Sequence, residues 1–311
     1  MQRSGPVFFF LCLSLLFAGC IQPDGSGISD QHPAVFTGGS NLTVYFISVG
    51  QGDSILVRSP AGKTLLIDAG PASSSSGLVS FLHEENVSSL DILLATHSHE
   101  DHIGGMPAVL AAFPVGEVIY NGFPGNTTYY ERFMKTVAKK KIPLTNVTAG
   151  DTISLDPVLS ISVLNSRKTY FDDPNNNSVV LRLVYRNVSF LFAGDAAQGA
   201  ESAMLANGDN LSATVLKVGH HGDSRSTGTQ FLRAVHPEIA VIEAGYKNDH
   251  HNPSNKTLNR FRAANVTIYR TDLNGTVMID TDGTNLWVST MQDSPALVLP
   301  VPENAAAATA S

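Results

Sequence analysis

Runs of apolar and polar residues in the first half of the chain predict strands first and helices afterwards. Short β-branched and apolar runs, bounded by Gly, Pro, Asp and Ser, predict strands over residues 42–49, 54–58, 64–67 and 92–95. Apolar residues at helical spacing predict helices over 77–85, 106–113 and 128–140, and weaker strand signals cover 152–164. This pattern indicates a meander of strands that continues into strands separated by helices.

The second half of the chain shows a similar order of elements. Strands are predicted over residues 179–185, 189–193, 214–218, 239–243, 266–270, 275–280 and 284–288. Helices are predicted over 199–206, 231–235 and 254–263. Strands that end in polar loops and are separated by helices are typical of sheets with helices packed outside them. We therefore expect an α/β fold, with residues 41–290 as one domain.

Both ends of the chain depart from this pattern. Arg3, an apolar run over residues 7–17 and the sequence Leu-Phe-Ala-Gly-Cys at 16–20 predict a signal peptide over residues 1–20, with a buried first helix as the alternative. The last five of these residues resemble a lipoprotein box, which implies lipidation of Cys20. The polar stretch 21–40 predicts a linker, and the Pro- and Ala-rich stretch 291–311 predicts a disordered tail. We expect export and a lipid anchor at the outer face of the cytoplasmic membrane.

Composition narrows the class of protein. The 311 residues are 43% hydrophobic and 15% charged, which suits a globular fold. The formal net charge of −7 argues against a protein that coats nucleic acid, because clustered Lys and Arg hold phosphate backbones. Cys12 and Cys20 both lie near the start of the chain, so no disulfide is expected within the folded part.

The densest group of chemically active residues follows the strand predicted over 92–95. His97 and His99 are two residues apart on an extended segment, so both imidazoles point to the same side and can bind one cation. Asp101 and His102 stand at the turn into the next helix, where they can reach a second cation. A solvated polar loop is the alternative. The register of three histidines and one aspartate favours the metal site.

Two further polar positions follow other predicted strands. Asp195 comes directly after the strand over 189–193, where a lone Asp would more often cap the next helix. His220 and His221 follow the strand over 214–218. Site residues of layered folds collect on loops at the strand ends. We therefore expect these residues to join the metal site.

These stretches resemble the metallo-β-lactamase fold. Within that fold they resemble the domain at the C terminus of ComEC-type DNA-uptake competence proteins and its free-standing exported relatives. The resemblance rests on Val-Gly-Gln-Gly-Asp-Ser at 49–54, Leu-Ile-Asp-Ala-Gly at 66–70, Thr-His-Ser-His-Glu-Asp-His-Ile-Gly-Gly at 96–105, Phe-Ala-Gly-Asp at 192–195 and Leu-Lys-Val-Gly-His-His-Gly at 216–222. It implies a four-layer αββα sandwich in a single domain.

The resemblance also implies a role for each site residue. His97 and His99 would bind one metal ion, Asp101 and His102 a second, and Asp195 would bridge both. His221 would join the second ion, His220 would contact substrate or lie behind the ligands, and Asp68 would orient a ligand imidazole. Imidazole and carboxylate ligands without thiolate suit two Zn²⁺ ions, with Mn²⁺ as the alternative.

The chain departs from the family pattern in three places. Most members of the wider family have another His just before the strand over 179–185, whereas this chain and the ComEC-like branch lack it; residues 172–178 read Asp-Asp-Pro-Asn-Asn-Asn-Ser. A usual His-Pro pair is replaced by Asn252-Pro253, and the preceding His250 and His251 either substitute for it or lie in an exposed loop. Ser48 stands where family members often have Asp.

The expected function is hydrolysis of a phosphodiester at the cell surface by a hydroxide that bridges two metal ions. Asp101 or Asp195 would receive the proton, and His220 or Arg225 would stabilise the phosphoryl charge. The expected partners are a phosphodiester substrate, either DNA or a cell-surface polymer, and the membrane through Cys20, with no obligate protein partner. The alternatives are an acyl hydrolase of the lactamase kind and a non-catalytic module that binds DNA or a cell-wall polymer.

Overall fold

The computed structural model describes residues 41–166, 171–292 and 297–300. The signal peptide and linker expected over residues 1–20 and 21–40, and the lipidation expected at Cys20, lie outside the described residues. All described residues belong to one compact unit of the chain. Among them, no helix has the length and apolar character needed to cross a membrane.

The secondary structure alternates between strands and helices along the chain. The strands are β1 (Leu42–Phe46), β2 (Ile55–Arg58), β3 (Thr64–Ile67), β4 (Leu90–Ala95), β5 (Val115–Tyr120), β6 (Leu144–Asn146), β7 (Ser160–Asn165), β8 (Val180–Tyr185), β9 (Val188–Phe192), β10 (Val215–Lys217), β11 (Ile239–Ile242), β12 (Thr267–Arg270), β13 (Val277–Thr281), β14 (Asn285–Thr290) and β15 (Leu297–Pro300). The α-helices are α1 (Ser75–Glu84), α2 (Glu100–Ile103), α3 (Met106–Ala112), α4 (Thr128–Lys140), α5 (Gln198–Asn207), α6 (Thr229–Val235), α7 (Asn255–Ala263) and α8 (Thr271–Asn274).

The strands form two mixed sheets. The first has nine strands in the order β15-β14-β13-β1-β2-β3-β4-β5-β6, and the second has six in the order β12-β11-β10-β9-β8-β7. Strands β3 to β6 run parallel in the first sheet, and β9 to β12 run parallel in the second. The carboxyl ends of the parallel strands within a sheet therefore lie at one edge, which is where ligand sites form in such sheets.

The alternation of side chains along the strands produces the layers. Val44 in β1 packs in a core that also contains Phe190 and Val241 from the second sheet. Its neighbour Tyr45 points to the other face and packs in a cluster with Phe133 of α4. The outer face of the second sheet packs on its own helices, through Leu191, Leu216, Ala240, Met204, Phe231 and Phe261. The layers are helix, sheet, sheet and helix, and the expected α/β sandwich is confirmed.

A short part of the expected tail forms a strand. Residues 297–300, within the stretch 291–311 expected to be disordered, form β15 and pair antiparallel with β14, with Val288 opposite Leu297. The run Leu-Val-Leu favours a strand, and it pairs with an edge of β14 that would otherwise leave its backbone groups unpaired.

Candidate metal centre

The candidate site forms where the loops after three buried strands meet. The loop after β4 carries His97 and His99 and leads into α2, which carries Asp101 and His102. Asp195 follows β9, and His221 follows β10 in a 3₁₀ turn over Gly219–Gly222. Because β9 and β10 are parallel neighbours, their loops emerge side by side. The structure thus brings together all the residues expected to bind metal.

One set of side chains consists of His97, His99 and Asp195. Their ligand atoms all lie within 4.8 Å of one another. The Nε2 atom of His97 is 3.7 Å from Oδ2 of Asp195, and both side chains are buried. This distance leaves space between them for a cation that each would contact at about 2.0–2.2 Å.

A second set consists of Asp101, His102, Asp195 and His221, again with ligand atoms within 4.8 Å of one another. His102 Nε2 lies 3.3 Å from Asp195 Oδ1. His221 Nε2 lies 3.1 Å from Asp101 Oδ2 and 3.6 Å from Asp195 Oδ1. Asp195 belongs to both sets and uses one oxygen toward each, which is the geometry of a bridging carboxylate.

Asp68 controls the orientation of two of these imidazoles. Its Oδ2 accepts hydrogen bonds from His102 Nδ1 at 2.7 Å and from Thr96 Oγ1 at 2.7 Å. Because the Thr96 hydroxyl donates to Asp68, its oxygen is free to accept from His97 Nδ1, 3.1 Å away. The protons of both imidazoles are therefore held on Nδ1, and the Nε2 lone pairs of His97 and His102 face Asp195.

The residues present fit divalent cations. The Nε2 atoms of His97 and His102 and the Oδ1 atom of Asp195 are buried and have no hydrogen-bond partner in the described part of the chain. Unpaired polar atoms in a protein interior are costly, and these three converge on one space. Neutral imidazoles and carboxylates are ligands that Zn²⁺ and Mn²⁺ accept.

The charges in the site favour cations in the same way. Burial alone would raise the pKa of Asp195, but the imidazoles of His102 and His221 hold it well below its usual range. Burial alone would lower the pKa of His102, but Asp195 and Asp101 raise it well above its usual range. The buried carboxylates thus attract positive charge. Divalent cations would supply that charge and displace the protons from the imidazoles.

Comparison with known proteins settles the family. The sequence pattern of the metallo-beta-lactamase superfamily matches residues 47–245, a range that contains both sets of clustered side chains. The chain belongs to the metallo-β-lactamase superfamily. Members of this superfamily bind divalent metals, and the His and Asp clusters here are able to hold them. The superfamily indicates a metal-dependent hydrolase.

Two relatives support the ComEC-like branch of the superfamily. Competence protein ComA of Neisseria gonorrhoeae is 35% identical over 263 residues, which cover 84% of this chain and 34% of that protein. ComE operon protein 3 of Bacillus subtilis (strain 168) is 31% identical over 252 residues, which cover 75% of this chain and 32% of that protein. This chain therefore spans about a third of the length of the curated relatives it matches.

A solved structure supports the fold. CmlA, a diiron β-hydroxylase from Streptomyces venezuelae, superposes with a TM-score of 0.51 at 13% sequence identity. The matched region covers 85% of this chain and 54% of that protein. At this identity, the likeness shows that the two chains share a fold.

The two adjacent histidines of this metallo-β-lactamase domain occupy different positions. His221 is buried and belongs to the second set, whereas His220 belongs to neither set. The His220 side chain is 19% exposed, and its Nε2 lies 3.8 Å from Asp195 Oδ2. The geometry favours His221 over His220 as the ligand.

A cleft of about 620 Å³ opens above the clustered residues. His99, Asp101, Asp195, His220 and His221 all line it. Its rim contains Asn175, Asp223, Arg225, His250 and Asn252. Of the two histidines with an open role, His250 thus lines the cleft, and the exposed His251 is not among its lining residues.

The segment without the family's further histidine has a defined structure. The side chain of Asn176 caps the start of α5 by accepting hydrogen bonds from the backbone N–H groups of Ala197 and Ala200. Asn175 instead lines the cleft, and its Oδ1 has no hydrogen-bond partner among the described residues. Ser48 is exposed, and its backbone N–H donates to Thr276 Oγ1 at 3.0 Å.

Sequence reasoning assigned no role to three buried ionisable residues behind the site. Lys217 Nζ lies 2.6 Å from Asp53 Oδ2 and 4.0 Å from Glu243 Oε2. Burial would raise the pKa of Asp53, but Lys217 and His221 hold it below its usual range. A sequence signal exists at Lys217, because a charged residue interrupts the otherwise apolar strand β10.

Proposed function

We propose that this chain is a metal-dependent phosphodiesterase with two divalent cations in its site, Zn²⁺ as the best fit and Mn²⁺ as the alternative. One observation carries the proposal: Asp195 is shared by two sets of candidate ligands, most of them buried, whose unpaired atoms converge. Two bound cations would supply an activated water and positive charge for the phosphoryl group. His97 and His99 would hold the first cation, and the second set would hold the other.

The carboxylates differ in how far solvent can reach them. Both Asp101 and Asp195 line the cleft, but the Asp101 side chain is 29% exposed, whereas Asp195 is almost fully buried between two ligand sets. An acceptor for the proton of an attacking water must be reachable from the cleft. We therefore assign proton acceptance to Asp101 and a bridging role to Asp195.

Groups on the rim of the cleft can contact the substrate. Arg225 Nε donates to Asp223 Oδ1 at 2.9 Å, and this ion pair holds the guanidinium at the cleft. The His220 side chain is 19% exposed, and its Nε2 lies 3.8 Å from Asp195 Oδ2. His220 and Arg225 would neutralise charge on the phosphoryl oxygens, since cationic and N–H donors stabilise such charge.

The lining of the cleft favours a phosphodiester over an acyl substrate. Apart from Val49, Gly50 and Pro71, its lining residues are polar or charged. A pocket for apolar amides or lactams would present more apolar surface. Two bound cations would also offset the acidic character of the chain where a phosphate approaches. The name of the relative, Competence protein ComA, favours DNA as the polymer.

We extend the proposal to location and partners. Export and a lipid anchor at the outer face of the cytoplasmic membrane are supported by the sequence Leu-Phe-Ala-Gly-Cys at 16–20. No protein partner is needed for the chemistry proposed, because a single chain contributes both sets of ligands.

The test uses purified protein loaded with Zn²⁺ or Mn²⁺ and four substrates: a chromogenic phosphodiester, single-stranded DNA, duplex DNA and a β-lactam. We expect hydrolysis of the phosphodiester and of DNA, and loss of both in His99→Ala. His236→Asn is the matched control, because His236 is exposed, lies before β11 at the edge opposite the site, and has a left-handed φ that Asn tolerates.

Each of the other possible results would favour a different function for this chain. Equal rates in the unmodified protein and in His99→Ala would exclude a metal-dependent reaction at this site. Hydrolysis of the β-lactam alone would favour the acyl hydrolase. DNA binding without hydrolysis in the metal-loaded protein would favour the binding module.

A further inference from the structure

Lys217 lies in the interior of the protein with carboxylates on either side of it. Its side chain is fully buried in β10, and Nζ contacts Asp53 at 2.6 Å and donates to the Val218 carbonyl at 2.9 Å. The Glu243 carboxylate lies 4.0 Å away. A buried ion pair beside a third carboxyl group often stabilises a protein less than an apolar core would, so stability alone does not account for these residues.

Asp53 contacts Lys217 through one carboxylate oxygen and the candidate metal centre through the other. Asp53 Oδ1 lies 3.2 Å from Nδ1 of His221, and the backbone carbonyl of Glu243 lies 2.9 Å from the same nitrogen. The Glu243 side chain accepts the backbone N–H of Ser54 at 3.0 Å, which fixes the segment that contains Asp53. The His221 ring is thus held by two separate segments of the chain.

His221 needs such support because its own backbone provides little. It lies in a short 3₁₀ turn with φ of 52°, outside regular helix and strand geometry. A proton on Nδ1, donated to the Glu243 carbonyl at 2.9 Å with Asp53 Oδ1 3.2 Å away, leaves the lone pair on Nε2. That atom faces Asp101 at 3.1 Å and Asp195 at 3.6 Å.

We propose that Asp53 and Lys217 form a positioning pair for the second cation's site. This inference rests on the proposed function, because it takes the second set as a metal site. Asp53 orients His221 as Asp68 orients His102, and Lys217 neutralises Asp53. The pair therefore fixes a ligand imidazole without adding net negative charge. Its effect falls on the second cation, because Asp53 contacts His221 and His102, which both belong to the second set.

The test is calorimetric titration of the full chain with Zn²⁺, together with Co²⁺ absorption spectra and thermal unfolding. In Asp53→Asn we expect about 10- to 100-fold weaker binding of one zinc, unchanged binding of the other, and an altered spectrum for the weaker site. Lys217→Met leaves the Asp53 carboxylate buried without its cation, so both the unfolding midpoint and zinc affinity should fall. Lys63→Met is the control, because Lys63 pairs with Asp91 at 2.9 Å on the surface.

The double variant Asp53→Asn/Lys217→Met separates positioning from simple support of the fold. It removes both charges, so the unfolding midpoint should recover relative to Lys217→Met while the affinity for the second zinc stays low. Recovery of both would show that the pair acts only on stability. Two zincs bound to Asp53→Asn with unchanged affinity would overturn the inference alone. An unmodified protein that binds no zinc would overturn the proposed function as well.

Discussion

Nδ1 of His102 lies 2.7 Å from Oδ2 of Asp68, and both side chains are fully buried. The same carboxylate also accepts hydrogen bonds from the hydroxyl and the backbone N–H of Thr96. Asp68 is therefore the acceptor in all three of these hydrogen bonds. Because its hydroxyl donates to Asp68, the Thr96 oxygen can accept a hydrogen bond from Nδ1 of His97. One carboxylate thereby sets the tautomer of an imidazole in each set of candidate ligands.

Replacing Asp68 by Asn should weaken metal binding without creating a cavity in the core. Asp68 accepts from the Thr96 backbone N–H on Oδ1 and from His102 and the Thr96 hydroxyl on Oδ2, and a carboxamide would turn an NH₂ group toward one of these two donor sites. We expect a loss of about 10- to 100-fold in zinc affinity, measured by calorimetry. Asp151→Asn, at an exposed turn, is the control. An affinity unchanged in Asp68→Asn would show that the contact does not orient the ligands.

The adjacent histidines should respond differently to the same substitution. Both have left-handed φ values, of 47° for His220 and 52° for His221, which Asn accommodates. We expect His221→Asn to reduce bound zinc from two ions to one. We expect His220→Asn to keep both ions and to lower kcat for the phosphodiester. Elemental analysis and initial rates distinguish the two, and the reverse pattern would exchange their roles.

Two glycine-to-alanine substitutions should have opposite effects on stability. A Cβ at Gly105 would lie 2.1 Å from the Ala69 carbonyl oxygen, so α2 and α3 would have to move away from the segment after β3. We expect a loss of about 1–3 kcal/mol in the free energy of unfolding. A Cβ at Gly77, in the exposed part of α1, meets no atom within 4 Å. Gly77→Ala should gain about 0.5–1 kcal/mol, and urea unfolding measures both.

A buried glutamate should make stability depend on pH. Glu201 in α5 accepts backbone N–H groups of Thr227 and Gly228, and burial raises its pKa to about 7 from an ordinary value of 4.5. The folded protein therefore keeps a proton that the unfolded chain releases, so this contribution to stability is lost as pH rises from about 4.5 through 7. Relative to Glu201→Gln, the unfolding free energy should fall by roughly 3 kcal/mol over this window. Parallel stability curves would contradict this assignment.

Much of the fold follows from local pattern. The predicted strand over 64–67 and helix over 128–140 coincide with β3 and α4. The helix is marked at both ends, because Thr127 caps Tyr130 and Lys141 takes a left-handed conformation. Strands β5 and β6 were not predicted. Gly116 and Glu117 interrupt the pattern of β5, and all residues of β6 are exposed at the sheet edge.

The site shows where sequence reasoning succeeds and where it stops. The metal-binding candidates could be found because His and Asp cluster in short motifs at strand ends. The pair of Asp53 and Lys217 could not be found in this way, because 164 positions separate the two residues in the sequence. Only the packing of one sheet on the other brings them together. A charged residue in an apolar strand shows that a partner exists, but not which residue it is.

The most direct measurement titrates metal-free protein with Zn²⁺ and follows bound zinc and phosphodiester hydrolysis at each addition. We expect no hydrolysis without zinc, a maximal rate when two ions are bound per chain, and neither full binding nor hydrolysis in Asp195→Asn. Full activity in the metal-free protein, or two bound zincs with no hydrolysis above the rate in buffer, would contradict a two-metal phosphodiesterase.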